Sequence, residues 1–297
     1  MDVITLIAAF GGGVLGAAVG AVPIFIVAAG VLAVVGVAAG VGGSTELLSI
    51  AFGPVLGPHV SFAGGVAAAA YAGSRGALPT GRDIGSPLMG LRRVDVLLVG
   101  GAFGSAGYAL HSLFTTAGVA NWTDTVALVV VISNMAARLM FGATGPFGSP
   151  SQPTGRRFRP DDSASWLPWQ QDWRHVAIIG AAVGVAAAYL TANGGLVVGR
   201  ESLGFGISNV ILIFLVMGHK APVTHHISMP AALAVVHGGG VLMGGVCGLL
   251  GACLGEAASR AFLIHGDTHI DPPAVAIGLV ATLLLLLKAA GIVLPPI

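Results

Sequence analysis

Two histidine–serine pairs are the residues in this chain best suited to chemistry. His59-Val60-Ser61-Phe62 and His226-Ile227-Ser228-Met229 share their spacing, a β-branched residue between His and Ser, and a small-residue apolar run afterwards. A neutral imidazole donates or accepts a hydrogen bond, or carries a proton near neutral pH. Serine is a good helix N-cap, accepting from a backbone N–H one turn in. The prolines supply the context. Gly53-Pro54 and Gly57-Pro58 interrupt the otherwise apolar stretch Glu46–Gly73, and Gly218, Pro222 and Pro230 interrupt its counterpart. Proline removes a backbone donor and clashes with the preceding turn. Both stretches are therefore expected to break, each leaving a half-helix capped by Ser61 or Ser228.

Half-helices of this kind place the positive ends of their dipoles inside the protein. His59, Ser61, His226 and Ser228 are accordingly the candidate substrate-binding residues, with Lys220 an asymmetric accessory beside the second break. The blander reading is that the histidines only bond carbonyls freed at the breaks. A rival is a transition-metal site with His59, His226 and either His225 or His219 as nitrogen ligands, although no HxxxH or HExxH spacing supports it. Asp124 and Asp271 each precede an apolar run, where an aspartate caps a helix, with proton coupling as the alternative role. Asn134 and Arg138 share a face that could line a path, Arg138 alternatively snorkelling to the interface. Glu256 and Arg260 have the spacing of a structural i,i+4 pair. The polar "HGDTHID" at His265–Asp271 resembles a metal-binding cluster but reads rather as a solvated cytoplasmic turn. No pattern asks for a cofactor, and no nucleophile–base set argues for an enzyme.

The elements that must position these residues are membrane spans. Of 297 residues, 55% are hydrophobic and 8% charged, with a mean hydropathy of +0.92, against about 25% charged in soluble domains. Val3–Val22, Val96–Leu113, Val126–Met140 and Ala274–Leu287 are at or near the roughly 20 apolar residues that span a bilayer. A net charge of +1 argues against a nucleic-acid partner. Cys247 and Cys253, six apart in one apolar run, suit neither a disulfide nor a metal site.

Eight of the 13 Lys and Arg fall in Ser74–Val94 and Gly145–Arg174, and the first 74 residues carry none. The positive-inside rule makes both segments cytoplasmic and the N-terminus external in a multi-pass protein of the cell membrane. Gly145–Arg174 reads as a linker ending in an interfacial stretch with Trp166, Trp169 and Trp173. It separates residues 1–145 from 175–297.

Those two parts repeat one order of motifs. GAAVG occurs at Gly16 and Gly180, followed by the HxS pairs. The ladder Gly100, Gly101, Gly104, Gly107 matches Gly244, Gly245, Gly248, Gly251, and Asp124-x-x-Ala127 matches Asp271-x-x-Ala274. Basic residues sit on exchanged loops in the two parts, as in an inverted repeat with an odd number of passes per half. The expected fold is an all-α polytopic bundle of about 8–10 spans with two broken helices, Thr191–Ser202 being ambiguous as a span. Small-residue faces such as Gly12, Gly16 and Gly20 suit close helix contacts, within the chain or in a homo-oligomer.

The string "AFGPVLGPHVSFAGGVAAAAYAG", Phe52–Gly73 above all, resembles a group of uncharacterised polytopic membrane proteins of archaea and bacteria. The duplicated halves with interrupted helices are similar in organisation to urea and ammonium transport proteins, an analogy of architecture alone. The expected function is a membrane transporter or channel for a small polar or anionic solute, its partners being that solute and the lipid bilayer. A metal-ion transporter and a non-transporting scaffold are the alternatives.

Overall fold

The computed structural model describes residues 2–39, 46–149, 155–156, 158–162, 165–194 and 199–297. Apart from short β-bridges, the regular structure among them is helical. The first half runs through α1 (Val3–Val19), α2 (Ala21–Phe25), a π-helical stretch (Ile26–Leu32) and α3 (Ala33–Ala39). It continues with α4 (Glu46–Ala51), α5 (Ser61–Ser74), α6 (Val94–Thr116) and α7 (Thr125–Phe141). The second half runs through α8 (Trp173–Asn193), α9 (Glu201–Val210), α10 (Leu212–Val216), α11 (His225–Val236), α12 (Val241–Ala258) and α13 (Pro272–Ala289). Among the described residues five helices are long and apolar enough to cross a membrane: Ala21–Ala38, α6, α8, Val241–Leu263 and α13. Shorter apolar helices lie at α1, α7, Glu201–Val216 and α11. Ile4, Leu98, Ile178, Val246 and Leu279 are exposed on the outside of the bundle, the surface an apolar bundle presents to lipid. Of the ambiguous stretch Thr191–Ser202, α8 takes the first three residues and α9 the last two, while 195–198 lie outside the described residues.

The glycine ladders are packing seams. A Cβ at Gly13 of α1 would lie 2.1 Å from the Gly100 carbonyl oxygen of α6, and one at Gly104 would lie 2.8 Å from the Gly13 Cα. The second half repeats this, a Cβ at Gly248 of α12 lying 2.5 Å from the Gly184 Cα of α8. Backbones this close admit no side chain at either seam. In each half the half-helix, α5 or α11, packs against the seam pair and against the last helix, α7 or α13.

The halves meet through equivalent helices, α7 on α13 and the Ala21–Ala38 helix on α9 and α10. Both pairs are antiparallel. Thr282 Oγ1 donates to Thr123 Oγ1 at 2.9 Å, while the Asp271 N–H donates to Asn134 Oδ1 at 3.1 Å, so α7 descends as α13 ascends. In the other pair, Asn209 Nδ2 donates to the Ala29 carbonyl at 3.2 Å, and a Cβ on Gly206 would meet Val34 at 2.9 Å. Equivalent helices that run antiparallel are related by an axis across them, which is the geometry of an inverted repeat.

Both predicted breaks exist. Residues 52–60 form consecutive turns and bends between α4 and α5, and 217–224 form a turn and irregular chain between α10 and α11. Two expectations fail in detail. Pro230 does not interrupt its helix but lies in the second turn of α11, where the bond it removes is the one to the His226 carbonyl. Neither serine is an N-cap. Helix α5 starts at Ser61 itself behind Val60, and α11 starts three residues ahead of Ser228 behind Thr224. Their hydroxyls turn to carbonyls instead: Ser61 Oγ donates to Leu56 O at 2.8 Å, and Ser228 Oγ donates to His225 O at 3.4 Å while accepting from Ser208 Oγ at 3.0 Å.

Candidate functional site

A cavity of about 640 Å³ lies where the two halves meet. The first half contributes Phe25, Pro58, Phe62 and the start of α7, and the second contributes Phe205, His225, Met229 and the start of α13. The starts of α7 and α13 sit at different depths because these helices are antiparallel. Thr123, beside Asp124, is level with Thr282, about 16 Å along the helix from Asp271 at 1.5 Å per residue. The cavity therefore extends through roughly half the thickness of a bilayer's hydrocarbon core.

Polar groups gather towards its ends around an apolar middle. Asp124 at one end accepts the Ala127 N–H at 2.9 Å, and Asp271 at the other accepts the Ala274 N–H at 2.9 Å, each capping its helix. The capping reading of this repeat pair holds. The remaining oxygen of Asp271 faces His269 Nε2 at 3.2 Å, and His269 also lines the cavity. Glu201 and Ser202 enter from α9, and Thr80, Arg82 and Asp83 from the loop after α5. Asp83 is engaged in its own loop, accepting from the N–H groups of Gly85 at 3.2 Å and Ser86 at 3.0 Å. Between the ends, His225 is 5% exposed, its Nδ1 without a protein partner, and its ring meets Phe25 and Phe205 edge-on.

The predicted site residues are distributed differently from expectation. The segments carrying them do converge, but His59 and His226 do not line the central cavity. Because neighbouring residues at a helix start point about 100° apart, α11 presents His225 inwards and turns His226 back over α12. A Cβ at Gly255 would lie 2.5 Å from the His226 ring, which also meets Trp166 at 5.9 Å and His225 at 6.0 Å between ring centroids. Ser61 and Ser228 are buried against backbone, and Lys220 is exposed on the loop before α11. His59 lies in a second cleft of about 270 Å³ with Tyr108 and His111 of α6. Among the described residues no group of three or more His, Cys, Asp or Glu is gathered closely enough to hold a metal ion.

Two further corrections concern charge. Arg138 does not snorkel. It is fully buried, donating to Thr268 Oγ1 at 2.5 Å, to Thr268 O at 2.6 Å and to Phe262 O at 2.9 Å. The HGDTHID turn is not simply solvated, since His265, Thr268 and His269 are buried. Asp267 accepts from the Ala143 N–H at 2.6 Å and from Thr144 Oγ1 at 2.7 Å. Burial pushes the Asp267 carboxyl up, but these hydrogen bonds and the nearby Arg138 outweigh it and hold the group below the usual carboxylate range. Glu256 and Arg260 form the expected pair at 2.7 Å, and Arg260 also donates to the carbonyls of Phe158 and Gln171.

The linker was the part least readable in advance. Trp166, Leu167 and Trp169 turn into the cavity. Gln170 exchanges two hydrogen bonds of 3.0 Å with the Val223 backbone, and Trp169 Nε1 donates to Ala221 O at 2.9 Å. A Trp-rich tail to a basic loop gives an interfacial signal, and nothing local distinguishes it from an inward turn.

Comparison with known proteins adds one finding. The model of a family of unknown function, DUF7973, matches the chain twice in succession, over residues 1–151 and 148–296. The chain belongs to that family, and each half is one copy of its unit. No curated protein and no solved structure matches it.

Proposed function

We propose that this protein is a membrane transporter or channel that moves a small solute through the interface between its inverted halves. The observation that carries this reading is the central cavity, built by both repeats, extended through roughly half the thickness of a bilayer's hydrocarbon core and polar towards its ends. Inverted-repeat transporters bind near the midplane at the junction of their repeats, where broken helices begin. Pro58 and Phe62 come from one broken element here, and His225 and Met229 from the other.

The lining narrows the solute class. Asp83, Asp124, Glu201 and Asp271 line the cavity together with Arg82, and the middle is aromatic and aliphatic. A bare anion fits this poorly. A small neutral or weakly basic solute with an apolar body fits it, with His225 as the hydrogen-bonding group at mid-depth. Of the expected polar or anionic class, the neutral half is retained.

The test is uptake by proteoliposomes of a panel of small neutral, weakly basic and anionic solutes, with and without a pH gradient. Ala274 faces the cavity from α13 and is 5% exposed, so Ala274→Trp fills the passage. Flux of one class in the wild type, reduced at least tenfold in a folded Ala274→Trp protein, is the expected result. No flux of any solute, or equal flux in both proteins, overturns the reading in favour of a non-transporting scaffold.

A further inference from the structure

We infer that His59, His111 and Asp124 form a proton relay joining the smaller cleft to the central cavity, so that solute movement is linked to proton movement. The inference deepens the transport reading above by naming its coupling ion.

The cleft is a built polar site. His59 is 1% exposed and neither of its ring nitrogens has a protein partner, nor has Nδ1 of His111. The two rings lie 4.3 Å apart between centroids, tilted by 34°. Buried polar groups are ordinarily satisfied, so three unpartnered imidazole nitrogens beside an open space mark a place where protons or water are exchanged. The hydroxyls of Ser112, Thr115 and Thr116 line its mouth, and about 270 Å³ admits several waters.

The relay leads inwards. Phe52 borders both spaces and forms the apolar wall between them. Asp124 lies within electrostatic reach of His111 and itself lines the central cavity. Tyr108 of α6 and Asp124 of α7 are the titratable groups facing the histidine pair from those helices, and α1 carries none within Val3–Val19. Inside the cavity the carboxylate–histidine motif recurs, with His225 at mid-depth and the Asp271–His269 contact at the far end. Each step moves one proton from an imidazolium N–H to a carboxylate or a neutral imidazole, with no other bond made or broken.

The repeat shows that the cleft is specific to one half. Along the glycine ladders, Gly107 corresponds to Gly251 and His111 to Gly255. The ring of His226 covers Gly255, so the second half fills with a side chain the space that the first half leaves open.

Two measurements on the full chain test this. The first is ¹⁵N NMR titration of labelled histidines in wild type and in Asp124→Asn. Asparagine keeps the helix cap and removes the charge, so the His111 titration should move. An unmoved His111 overturns the relay. The second is uptake by proteoliposomes. His111→Gln should lose accumulation driven by an imposed pH gradient at least tenfold, while solute exchange at zero gradient stays within about twofold. Gradient-driven accumulation unchanged in His111→Gln overturns the relay and leaves the transport reading intact. If the wild type moves no solute, the transport reading fails by itself, and the titration still decides whether the three groups are coupled.

Discussion

A carbonyl without its helical partner explains one residue of the repeat better than any functional role. In α11, Pro230 has no N–H for the His226 carbonyl, and in the first half Ala63 reaches past His59 to Pro58 at 2.9 Å. Both freed histidine carbonyls then lie against a glycine of the neighbouring long helix. A Cβ at Gly107 would be 1.9 Å from His59 O, and one at Gly251 would be 2.3 Å from His226 O. Gly107→Ala and Gly251→Ala should each destabilise the protein by about 1–3 kcal/mol through overpacking, measured by thermal unfolding in detergent, whereas Gly11→Ala, with open space around it, should be near neutral. The HxS and glycine motifs were thus legible as a repeat, but their purpose was only half legible. Spacing shows that His59 and His226 are equivalent. It does not show that a one-residue rotation at the helix start sends His225 inwards and His226 back. The signal for His111 was present as a mismatch, a histidine where the second ladder continues with glycine.

Elements were easier to foresee than rotamers, since apolar length and proline breaks act locally. The breaks, the two half-helices and the caps at Asp124 and Asp271 follow from residue type alone. The partnership of α7 with α13 depends on the inversion, which the sequence expresses only through the exchange of basic loops. A cross-link tests it directly. With Cys247 and Cys253 replaced by alanine, Thr123→Cys/Thr282→Cys should form a disulfide on mild oxidation, because the native hydroxyls are 2.9 Å apart. Thr123→Cys/Ile270→Cys, which places cysteines at equivalent positions, should not. Linkage of the second pair and not the first would mean that the helices run parallel. The linker's inward turn had no comparable local signal, because Trp166 finds its partner in α11 and Trp169 in the loop before it, both distant in sequence.

Over the whole molecule the halves are clasped at one end by Arg138 of α7 and the turn before α13. The clasp has a charge dependence whose sign follows from Asp267. Its folded carboxyl is held below the ordinary range by the Ala143 and Thr144 bonds, against the upward push of burial. It therefore adds stability above a pH of about 4, the usual carboxylate value, and loses it as pH falls through the folded value. Asp267→Asn should lower the melting temperature by several degrees at pH 7 and by less at pH 3. An equal deficit at both pH values would show that the side chain's shape, rather than its charge, is what matters.

The antiparallel seating of α7 on α13 also carries a history. A segment of half this length, inserted into the membrane both ways round, would bring two copies of the same helix together head to tail. It would pair with its own upside-down twin across the surface that α7 and α13 now share. Tandem fusion of two such genes leaves one polypeptide whose halves are free to diverge, and the departures from symmetry record what each half has since taken on: a basic loop on one side, a histidine in place of a glycine, and a tryptophan-bearing strap over the join.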